Sequence, residues 1–499
     1  MCGFVGLIGV QNASHEVYTA LQSIQHRGQD SAGIATKKGN HFRISKDLGL
    51  VHQVFSQSEL QRLEGTCAVG HVRYPTAGTG SREDTQPFYS RRPGIIIAHN
   101  GNIINFEEIK KYLLERSIYL SSRCDVEPVL HVLASAVTVE TKSNYNIDDV
   151  IKALRITYDI VKGAFSIVGI MNIDGVDTMF LGRDPSAIRP ACYGRKGDSW
   201  IAASESVCLD VLDFHLEGYV EPGEVIFFTP GREPVHVSIK KKSARHCVFE
   251  HIYFARPDSH MDNLSVYHTR LDLGKALAKQ WLQKHSSEEI DVVIPVPDTS
   301  RPSAIAFSET VGVVHREGFI KNRYSPRTFI MPDQDSRMKA LKLKLNPIDT
   351  EITGKNVMLI DDSIVRGNTL KRITQVLRTK NPASVHLGIY SPPVVNPCYY
   401  GIDMSLKKEL IACNFLENLG IISQWPEKGD LEKLENALAE FLGVDSLTFL
   451  SRDALFEIFS ENHCMACFDG NYPVEITDDY LKIIEQDRNA VRCRVPDNF

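Results

Sequence analysis

The 499-residue chain lacks the features of a membrane protein and of a nucleic-acid-binding protein. No apolar run approaches the roughly 20 residues that cross a bilayer. There is no excess of positive charge, because the formal net charge is -6 at pH 7, and nucleic acid is therefore not favoured as the main partner. The chain has no basic-then-apolar leader, internal repeat or low-complexity tract, so we expect a cytoplasmic globular protein without a membrane partner.

Length and cysteine content narrow the class of protein further. A chain of 499 residues with 43% apolar residues is long enough for two domains or more, each with its own core. Eleven cysteines in a chain of this kind do not indicate a disulfide scaffold. Catalysis, metal binding and ordinary burial remain as their roles, and the odd number agrees with that.

The first half of the chain predicts a sheet-rich α+β domain rather than a strict alternation of strands and helices. Four short apolar runs are typical of buried strands: residues 65–73, 94–100, 164–171 and 177–183. Asn105, followed by Glu108 three residues later, has the spacing of a helix capping box. A second helix is predicted to begin at Asp148.

After the charged run 240–243 the pattern becomes that of a doubly wound α/β domain with a mainly parallel sheet. Three unbroken apolar runs predict buried parallel strands: residues 291–297, 356–362 and 384–390. Residues 368–378 have apolar side chains at helical spacing, and residues 430–443 predict an amphipathic helix that ends at Gly443.

The stretch VMLIDDSIVRGNTL, residues 357–370, is the most informative motif. An apolar strand ends in Asp361 and Asp362, and a short polar loop leads into a helix. Ligands bind at the carboxyl ends of strands in such sheets. The loop N–H groups, the hydroxyls of Ser363 and Thr369 and the helix N-terminus favour an anion, and Gly367 lets the backbone approach it. The two acids suit ribose hydroxyls and Mg²⁺; the alternative interpretation is that they only cap the helix.

This motif resembles the phosphoribosyl pyrophosphate signature of the type I phosphoribosyltransferases. The resemblance implies that the motif contacts phosphoribosyl pyrophosphate through Asp361, Asp362, Ser363, Arg366, Gly367 and Thr369. It also implies a pyrophosphate loop at residues 296–300, where Thr299 would help the two acids to hold one Mg²⁺.

A mobile lid is implied as well, at residues 321–332. Its expected ligands for phosphoribosyl pyrophosphate are Lys321, Arg323 and Tyr324. Such a lid would close over the pyrophosphate and exclude water. On composition alone, a solvated basic loop explains the stretch equally well.

The cysteine at position 2 raises a separate question. A role in the hydrophobic core is not expected at this position, because the ends of chains are usually poorly ordered. Removal of Met1, which we expect, gives Cys2 a thiol and a free α-amine on one residue. The ordinary pKa of a thiol is about 8.5 and that of a terminal amine about 7.7–8.0, so the amine can act as the base for its own thiol.

Four polar stretches, three of which contain glycine, accompany Cys2: residues 25–33, 70–78, 98–103 and 123–127. Together with Cys2 they resemble the class II glutamine amidotransferases, which have an N-terminal nucleophile and an αββα sandwich. The resemblance implies that Cys2 attacks the side-chain amide of glutamine and that Asn100 and Gly101 form the oxyanion hole. Arg73 matches the partner of the glutamine α-carboxylate, and Asp125 matches the partner of the α-ammonium. Arg27 belongs to a matching motif and is expected to help bind glutamine.

Together the two halves resemble the glutamine phosphoribosylpyrophosphate amidotransferase family. The resemblance includes three further stretches: RDPSAIRP (183–190), ASES (203–206) and FARPDS (254–259). It implies a glutaminase domain at residues 2–238, a phosphoribosyltransferase domain at 248–470 and a tail at 471–499. The family usually has glycine where this chain has Ala187, so Ala187 is mildly strained if the position needs a positive φ.

The implied activity is the first committed step of de novo purine synthesis. Ammonia from glutamine would pass internally to C1 of phosphoribosyl pyrophosphate, giving 5-phosphoribosylamine, glutamate and pyrophosphate. The family also implies feedback inhibition by purine nucleotides and a homotetramer. The basic stretch 337–346 is either a site for a nucleotide phosphate or a solvated helix face.

Four cysteines lie in contexts where some members of this family hold a [4Fe–4S] cluster: Cys247, Cys398, Cys464 and Cys467. The resemblance implies one cluster per chain, with a structural role. Soft thiolates suit either an Fe–S cluster or Zn²⁺, and spacing alone neither chooses the metal nor excludes buried free thiols. The other cysteines are interpreted as buried or incidental: Cys67, Cys124, Cys192, Cys208, Cys413 and Cys493.

Two other classes of function share part of the pattern. Glucosamine-6-phosphate synthase, asparagine synthetase and glutamate synthase share the amino-terminal half but lack the motif at residues 357–370. A regulator of transcription with the phosphoribosyltransferase fold would need a nucleic-acid-binding domain and a basic face. Here the other domain is a glutaminase with its nucleophile in place, so the enzyme is favoured.

Overall fold

A computed structural model of the chain describes residues 2–39, 41–74, 80–139, 144–322, 345–404, 406–421, 425–426, 428–478, 480–482 and 484. Several expected features lie outside these residues: Arg323 and Tyr324 of the lid, most of the basic stretch 337–346, and Cys493. Within the described ranges, no helix is long and apolar enough to cross a membrane.

The strands of the amino-terminal half form two antiparallel sheets. These strands are β1 (Gly3–Ile8), β2 (Ser31–Lys38), β3 (His41–Leu48), β4 (Cys67–Arg73), β5 (Phe88–Ser90), β6 (Ile95–Ile103), β7 (Gly163–Ile173), β8 (Val176–Arg183), β9 (Cys192–Lys196), β10 (Ser199–Ala203), β11 (His215–Tyr219), β12 (Glu224–Phe228) and β13 (Val235–Ser238). One sheet has the order β11-β9-β10-β1-β4-β2-β3, and the other has the order β13-β12-β8-β7-β6-β5.

Helices cover the outer faces of both sheets. They are α1 (Ala13–Ser23), α2 (Val51–Val54), α3 (Gln57–Arg62), α4 (Phe106–Leu114), α5 (Val126–Val137), α6 (Ile147–Ile160) and α7 (Val207–Val211). Short 3-10 helices lie at Gln25–Arg27 and Arg82–Asp84.

The two-residue period of β1 shows why the layers stack in this order. Phe4 and Ile8 pack between the two sheets, whereas Val5 and Leu7 point the other way, toward α1. Gly6 leaves room for the facing sheet, because a Cβ there would lie 2.5 Å from the side chain of Val168. The layers are therefore helix, sheet, sheet, helix, as the amidotransferase resemblance implied.

The helix predicted at Asn105 is present as α4, but the predicted capping box is wrong. The Asn105 side chain makes no capping hydrogen bond to the helix. Its Nδ2 donates instead to the Glu108 carboxylate at 3.3 Å and to the Ile160 carbonyl at 2.9 Å, because the neighbouring chain segment competes for this amide. The helix predicted to begin at Asp148 is α6, and Asn146 caps it.

The carboxyl-terminal half is built on a parallel sheet in the order β17-β20-β21-β22. The strands of this half are β14 (His246–Cys247), β15 (His260–Met261), β16 (Leu264–Ser265), β17 (Val292–Pro295), β18 (Phe319–Lys321), β19 (Leu345–Pro347), β20 (Asn356–Asp361), β21 (Ser384–Ile389), β22 (Ser446–Phe449) and β23 (His463–Cys464). The strands predicted at 291–297, 356–362 and 384–390 are thus present and slightly shorter.

Helices pack on both faces of this parallel sheet. The helices of this half are α8 (Val266–Trp281), α9 (Arg301–Val311), α10 (Asp349–Ile352), α11 (Asn368–Arg378), α12 (Ile411–Asn418), α13 (Lys428–Leu442), α14 (Arg452–Ile458) and α15 (Ala466–Asp469). A π-helical turn lies at Glu250–Phe254, and 3-10 helices lie at Ser287–Glu289 and Lys407–Glu409. In β20, Met358 and Ile360 face α8 and α9, whereas Val357 and Leu359 face α11 and α13. The sheet is doubly wound, as expected.

A single apolar cluster joins the two halves. Ile104, Ala164 and Ile188 of the amino-terminal half belong to the same buried cluster as Tyr399 and Cys464 of the other half. The strand ends of the first half are therefore packed against the segments that carry the four predicted cluster cysteines.

Candidate functional site

The sheet register places Cys2 beside Arg73 and Tyr74. Strand β1 pairs with β4 through Gly3 and Val72, so the residue before Gly3 lies next to the end of β4. Cys2 is buried, and its Sγ lies 3.7 Å from the carbonyl oxygen of Tyr74.

The predicted oxyanion residues lie on β6, in the facing sheet. Asn100 is fully buried, and among the described residues neither its Nδ2 nor its Oδ1 has a hydrogen-bond partner. Leaving a buried amide unpaired costs about 1–3 kcal/mol, and an amide held open in this way can donate to a ligand. Gly101 is required by space, because a Cβ there would lie 2.0 Å from the carbonyl oxygen of Ala164.

Arg73 is a buried cation surrounded by acidic groups. Burial alone would lower its pKa, but the charges of Cys124, Cys2, Asp84 and Asp125 outweigh burial and raise it. The carboxylate of Asp84 lies 4.0 Å from the guanidinium. The guanidinium therefore stays charged in the interior, as the recognition of a carboxylate requires.

Asp125 is held by groups that the sequence interpretation missed. Its Oδ2 accepts from His99 Nε2 at 3.2 Å and from the Ile103 N–H at 2.9 Å. Gln86 fixes the His99 ring by donating to Nδ1 at 3.0 Å. Burial would raise the pKa of Asp125, but His99, the Ile103 N–H and Arg73 together lower it. A permanent carboxylate here suits an ammonium ligand.

Arg27 lies behind Cys2, fully buried, and its guanidinium is engaged by the protein. Its Nε donates to the Cys2 carbonyl oxygen at 3.0 Å. Its other two nitrogens contact Glu205 at 2.5 Å and Glu250 at 2.7 Å. Burial would lower the pKa of Arg27, but the two glutamates outweigh burial and raise it. These contacts favour a positioning role over the expected contact with glutamine.

In the second half, the parallel pairing of β17 with β20 brings two loops to the same sheet edge. The loop 296–300 follows β17, and Asp361 and Asp362 end β20. Ser300, which the sequence interpretation passed over in favour of its neighbour Thr299, donates to Asp361 Oδ1 at 3.1 Å. Lys321 reaches the same loop, with its Nζ 3.0 Å from Asp298 Oδ2.

The two adjacent carboxyls have raised pKa values. Burial raises the pKa of Asp361 well above its ordinary value, and the charge of Asp362 raises it further. Burial also raises the pKa of Asp362, to about 6, although the hydrogen bond from Ser363 and the positive charge of Arg270 act to lower it. Such a pair favours a cation or hydroxyl donors that would stabilise its ionised form.

The rest of the motif forms the loop and the first turn of α11. Gly367 has a φ of 73°, a left-handed conformation that favours glycine, immediately before the helix. The Ser363 hydroxyl donates to Asp362 Oδ1 at 2.6 Å, and Thr369 is exposed in the first turn. Arg366 contacts the Glu409 carboxylate at 2.7 Å.

The four cysteines predicted to hold a cluster line one cavity: Cys247, Cys398, Cys464 and Cys467. Strands β14 and β23 pair in parallel with Cys247 opposite Cys464. All four are free thiols, and burial raises the pKa of Cys247, Cys464 and Cys467. Arg189 lines the same cavity. Within the described ranges, no three His, Cys, Asp or Glu side chains gather closely enough for a single metal ion.

Ala187 adopts a φ of 51°, so the position does have the positive φ that explains the glycine usual in the family. The condition stated for this departure, a positive φ, is therefore met, and alanine is disfavoured there relative to glycine. The backbone is held by Arg183, whose Nη2 donates to the Ala187 carbonyl at 2.9 Å.

Comparison with known proteins agrees with both halves. The glutamine amidotransferase domain family matches residues 71–211, and the phosphoribosyl transferase domain family matches residues 260–391. The amidophosphoribosyltransferase of Pseudomonas aeruginosa is 41% identical over 98% of this chain and 96% of its own length. The chain belongs to the amidophosphoribosyltransferase family.

Other members of this family are similarly close. The amidophosphoribosyltransferase of Methanothermobacter thermautotrophicus is 39% identical over 96% of this chain and 95% of its own length. The structure of the glutamine phosphoribosylpyrophosphate amidotransferase of B. subtilis, complexed with ADP and GMP, has a TM-score of 0.82 and 34% identity. It covers 96% of this chain and 98% of that one. The expected activity, a glutamine-dependent first step of purine synthesis, is thereby confirmed, and so is the two-part fold.

Proposed function

We propose that this amidophosphoribosyltransferase reaction is divided between the two sites, with Cys2 releasing ammonia from glutamine and the edge at Asp361 and Asp362 binding phosphoribosyl pyrophosphate. The observation that carries the first assignment is the buried Asn100 amide, which has no partner among the described residues. The pairing of β17 with β20, which joins the loop 296–300 to Asp361, supports the second.

In the glutaminase half, the α-amine of Cys2 takes the thiol proton, directly or through water, and the thiolate attacks the side-chain amide carbon of glutamine. A C–S bond forms, and the oxyanion accepts from Asn100 Nδ2 and the Gly101 N–H. The C–N bond then breaks, the departing nitrogen takes the proton, and ammonia and a thioester result. Water hydrolyses the thioester to glutamate. Arg73 and Asp125 hold the α-carboxylate and α-ammonium of the substrate.

In the other half, ammonia attacks C1 of phosphoribosyl pyrophosphate while the bond from C1 to the pyrophosphate oxygen breaks. We assign the ribose hydroxyls to Asp361 and Asp362, and the 5-phosphate to the loop N–H groups and hydroxyls of residues 363–369. We assign Lys321, whose Nζ lies 3.0 Å from Asp298 Oδ2, to the leaving pyrophosphate. The protein acts mainly by positioning and by charge.

The donor set at this edge suits Mg²⁺. Protein sites commonly bind it through one or two carboxylates together with substrate phosphates and water, so no closed protein cage is needed. Asp361 and Asp362 would hold the ion, with Thr299 in the adjoining loop. When bound, the ion supplies charge neutralisation for the departing pyrophosphate.

The four-cysteine cavity suits a [4Fe–4S] cluster. Soft thiol donors without disulfide partners surround one space, which is the donor set such a cluster requires. When bound, the cluster supplies cross-links between residue 247, residue 398 and the CMAC segment at residues 464–467.

We further propose inhibition by purine nucleotides and a homotetramer. The B. subtilis relative, which was solved with ADP and GMP, supports nucleotide control. The tetramer rests on the family resemblance. Equilibrium sedimentation of the anaerobic protein tests the tetramer, and the rate of pyrophosphate release with and without AMP or GMP tests the inhibition.

The experiment that tests the two-site assignment measures glutamate and pyrophosphate together, in protein purified without oxygen. Equal release that depends on glutamine, phosphoribosyl pyrophosphate and Mg²⁺ is expected. Cys2→Ala should abolish the glutamine-dependent reaction and keep the reaction with added ammonia. Glutamate release without pyrophosphate, or full activity in Cys2→Ala, would overturn the assignment.

A further inference from the structure

We propose that the four-cysteine cavity controls the geometry of the glutaminase centre. It acts on the nucleophile Cys2 through Glu250, and on the oxyanion hole through residues 398–401. The inference rests on the proposed function, because it assumes that Cys2, Asn100 and Gly101 form the glutaminase centre. Glu250, Arg27 and Arg189 are then positioning residues for the established reaction.

The first connection is a buried chain of charged side chains. Arg27 Nε donates to the Cys2 carbonyl, and the Arg27 guanidinium forms a two-point contact with Glu250, at 2.7 and 3.1 Å. Glu250 in turn lies 3.5 Å from Arg189, which lines the cysteine cavity. Arg27 and Arg189 are 0% exposed and Glu250 is 2% exposed, so water screens none of these charges.

One oxygen is shared by both arginines. Glu250 Oε1 accepts from Arg27 at 2.7 Å and faces Arg189 at 3.5 Å. The two cations therefore compete for the same carboxylate. Negative charge that draws Arg189 toward the cavity strengthens the pairing of Glu250 with Arg27.

The charge inside the cavity decides that competition. Arg189 lines the same cavity as Cys247 and Cys398, so negative charge on those thiols would attract its guanidinium. Thiols must be deprotonated to ligate iron. A cavity with ligated, negatively charged thiolates therefore attracts Arg189, whereas a cavity of neutral thiols lets Arg189 move toward Glu250. That movement weakens the contact of Glu250 with Arg27, and with it the hydrogen bond from Arg27 to Cys2.

The second connection runs along the backbone after Cys398. The Tyr399 carbonyl accepts from Asn102 Nδ2 at 2.8 Å, two residues beyond Asn100. Gly401 lies directly against Gly101, because a Cβ on Gly401 would be 3.3 Å from both the carbonyl carbon and the oxygen of Gly101. Fixing Cys398 as a ligand thus also fixes the segment that supports the oxyanion strand.

The test compares Cys2 chemistry in the loaded full-length protein and in Glu250→Gln. The Gln variant keeps the shape of the side chain and removes its charge. The probe is 6-diazo-5-oxo-L-norleucine, an electrophilic glutamine analogue, and its second-order rate of Cys2 alkylation is measured between about pH 6 and 9. We expect a rate lower by about tenfold or more and a shifted pH midpoint, with ammonia-dependent activity within about twofold of the parent.

Glu435→Gln is the matched control. Glu435 is also a buried glutamate of the carboxyl-terminal half, which accepts from the Phe449 N–H at 2.9 Å and lies 3.6 Å from Lys284. We expect it to lower the unfolding temperature without changing Cys2 alkylation. Equal loss of the alkylation rate in Glu435→Gln and Glu250→Gln would mean that any buried charge matters, and it would overturn the proposal.

Two further variants keep the inference testable if Glu250→Gln does not fold. Arg189→Lys, which keeps the charge, should alkylate faster than Arg189→Gln. Gly401→Ala should slow alkylation through the oxyanion side. Unchanged alkylation in all of these variants would overturn the proposal.

Iron depletion of the parent completes the test and separates two failures. Removal of iron should slow Cys2 alkylation in the parent and slow it by a smaller factor in Glu250→Gln, because the connection through Glu250 is already lost in the variant and only the one through residues 398–401 remains. Anaerobic protein without iron would overturn the cluster assignment. Normal iron content with alkylation unchanged by depletion would overturn only the connection proposed here.

Discussion

Arg27 and Glu250 form a two-point ion pair between the two halves of the chain, with contacts of 2.7 and 3.1 Å. Arg27 also donates to the carbonyl of Cys2, the proposed nucleophile, and Glu250 lies three residues after Cys247. Cys2 and Cys247 are therefore joined through two side chains and a short stretch of backbone.

Arg27→Met should destabilise the protein by about 3–5 kcal/mol, because Glu205 and Glu250 would be left buried with a partner removed. Denaturant unfolding of the anaerobic protein measures the change. The control is Lys240→Met, which breaks an exposed ion pair with Asp159 and should cost less than about 1 kcal/mol. A loss in Arg27→Met no larger than in the control would show that the buried pair contributes little.

Gly101→Ala should reduce glutamine-dependent activity by about 10²–10³-fold, since the backbone donor of the oxyanion hole must move away from Ala164. Ammonia-dependent activity should be retained, because it does not use that site. Gly429→Ala is the control, since a Cβ there meets no atom within 4 Å. Full glutamine-dependent activity in Gly101→Ala would remove Gly101 from the oxyanion hole.

The local patterns of the sequence predicted the fold well. The helix at residues 368–378 and the parallel strands around it were predictable, because unbroken apolar runs and helical spacing are properties of the chain itself. The sharp motifs also placed Cys2, Asp361 and Asp362 at loop and strand ends, where the structure has them, whereas Asn100, expected at a strand end, lies inside β6, which continues to Ile103.

The sequence could not show contacts between residues that lie far apart in the chain. Glu205 and Glu250 reach Arg27 across about two hundred residues, and no periodicity marks them. His99 lies within the polar stretch 98–103, but its contact with Asp125 depends on Gln86, and only the folded chain brings these three residues together. Ser300 was missed for the same reason, since its contact with Asp361 depends on the pairing of β17 with β20.

Cys464→Ser should lower the iron content of anaerobically purified protein well below four atoms per chain and reduce its unfolding temperature, since one of four ligands is lost. Cys413→Ser is the control. Cys413 is buried in α12, where its Sγ lies 3.6 Å from Glu417 and does not line the four-cysteine cavity. Equal iron in both variants would contradict the ligand assignment.

Asp361→Asn should stabilise the substrate-free protein at pH 7.5 while abolishing transfer to phosphoribosyl pyrophosphate. Burial and the charge of Asp362 raise the pKa of Asp361 well above its ordinary value in the folded chain, whereas an aspartate in an unfolded chain has a pKa of about 3.9. Between these values the folded state binds more protons than the unfolded state, so stability falls as pH rises through the window. The cost of ionising Asp361 beside Asp362 therefore grows from about pH 4 upward until the folded-state pKa of Asp361 is passed.

The asparagine variant removes one of these charges and keeps the Oδ1 atom that accepts from Ser300. The difference in unfolding free energy between variant and parent should be near zero below about pH 4 and grow to about 1–3 kcal/mol at pH 7.5. Asp272→Asn, which changes an exposed carboxylate beside Lys275, should show no such gain. Added Mg²⁺ should stabilise the parent more than the variant, because ionisation and ion binding are linked. A constant difference in unfolding free energy across the pH range would show that ionising the two adjacent carboxyls does not destabilise the folded state.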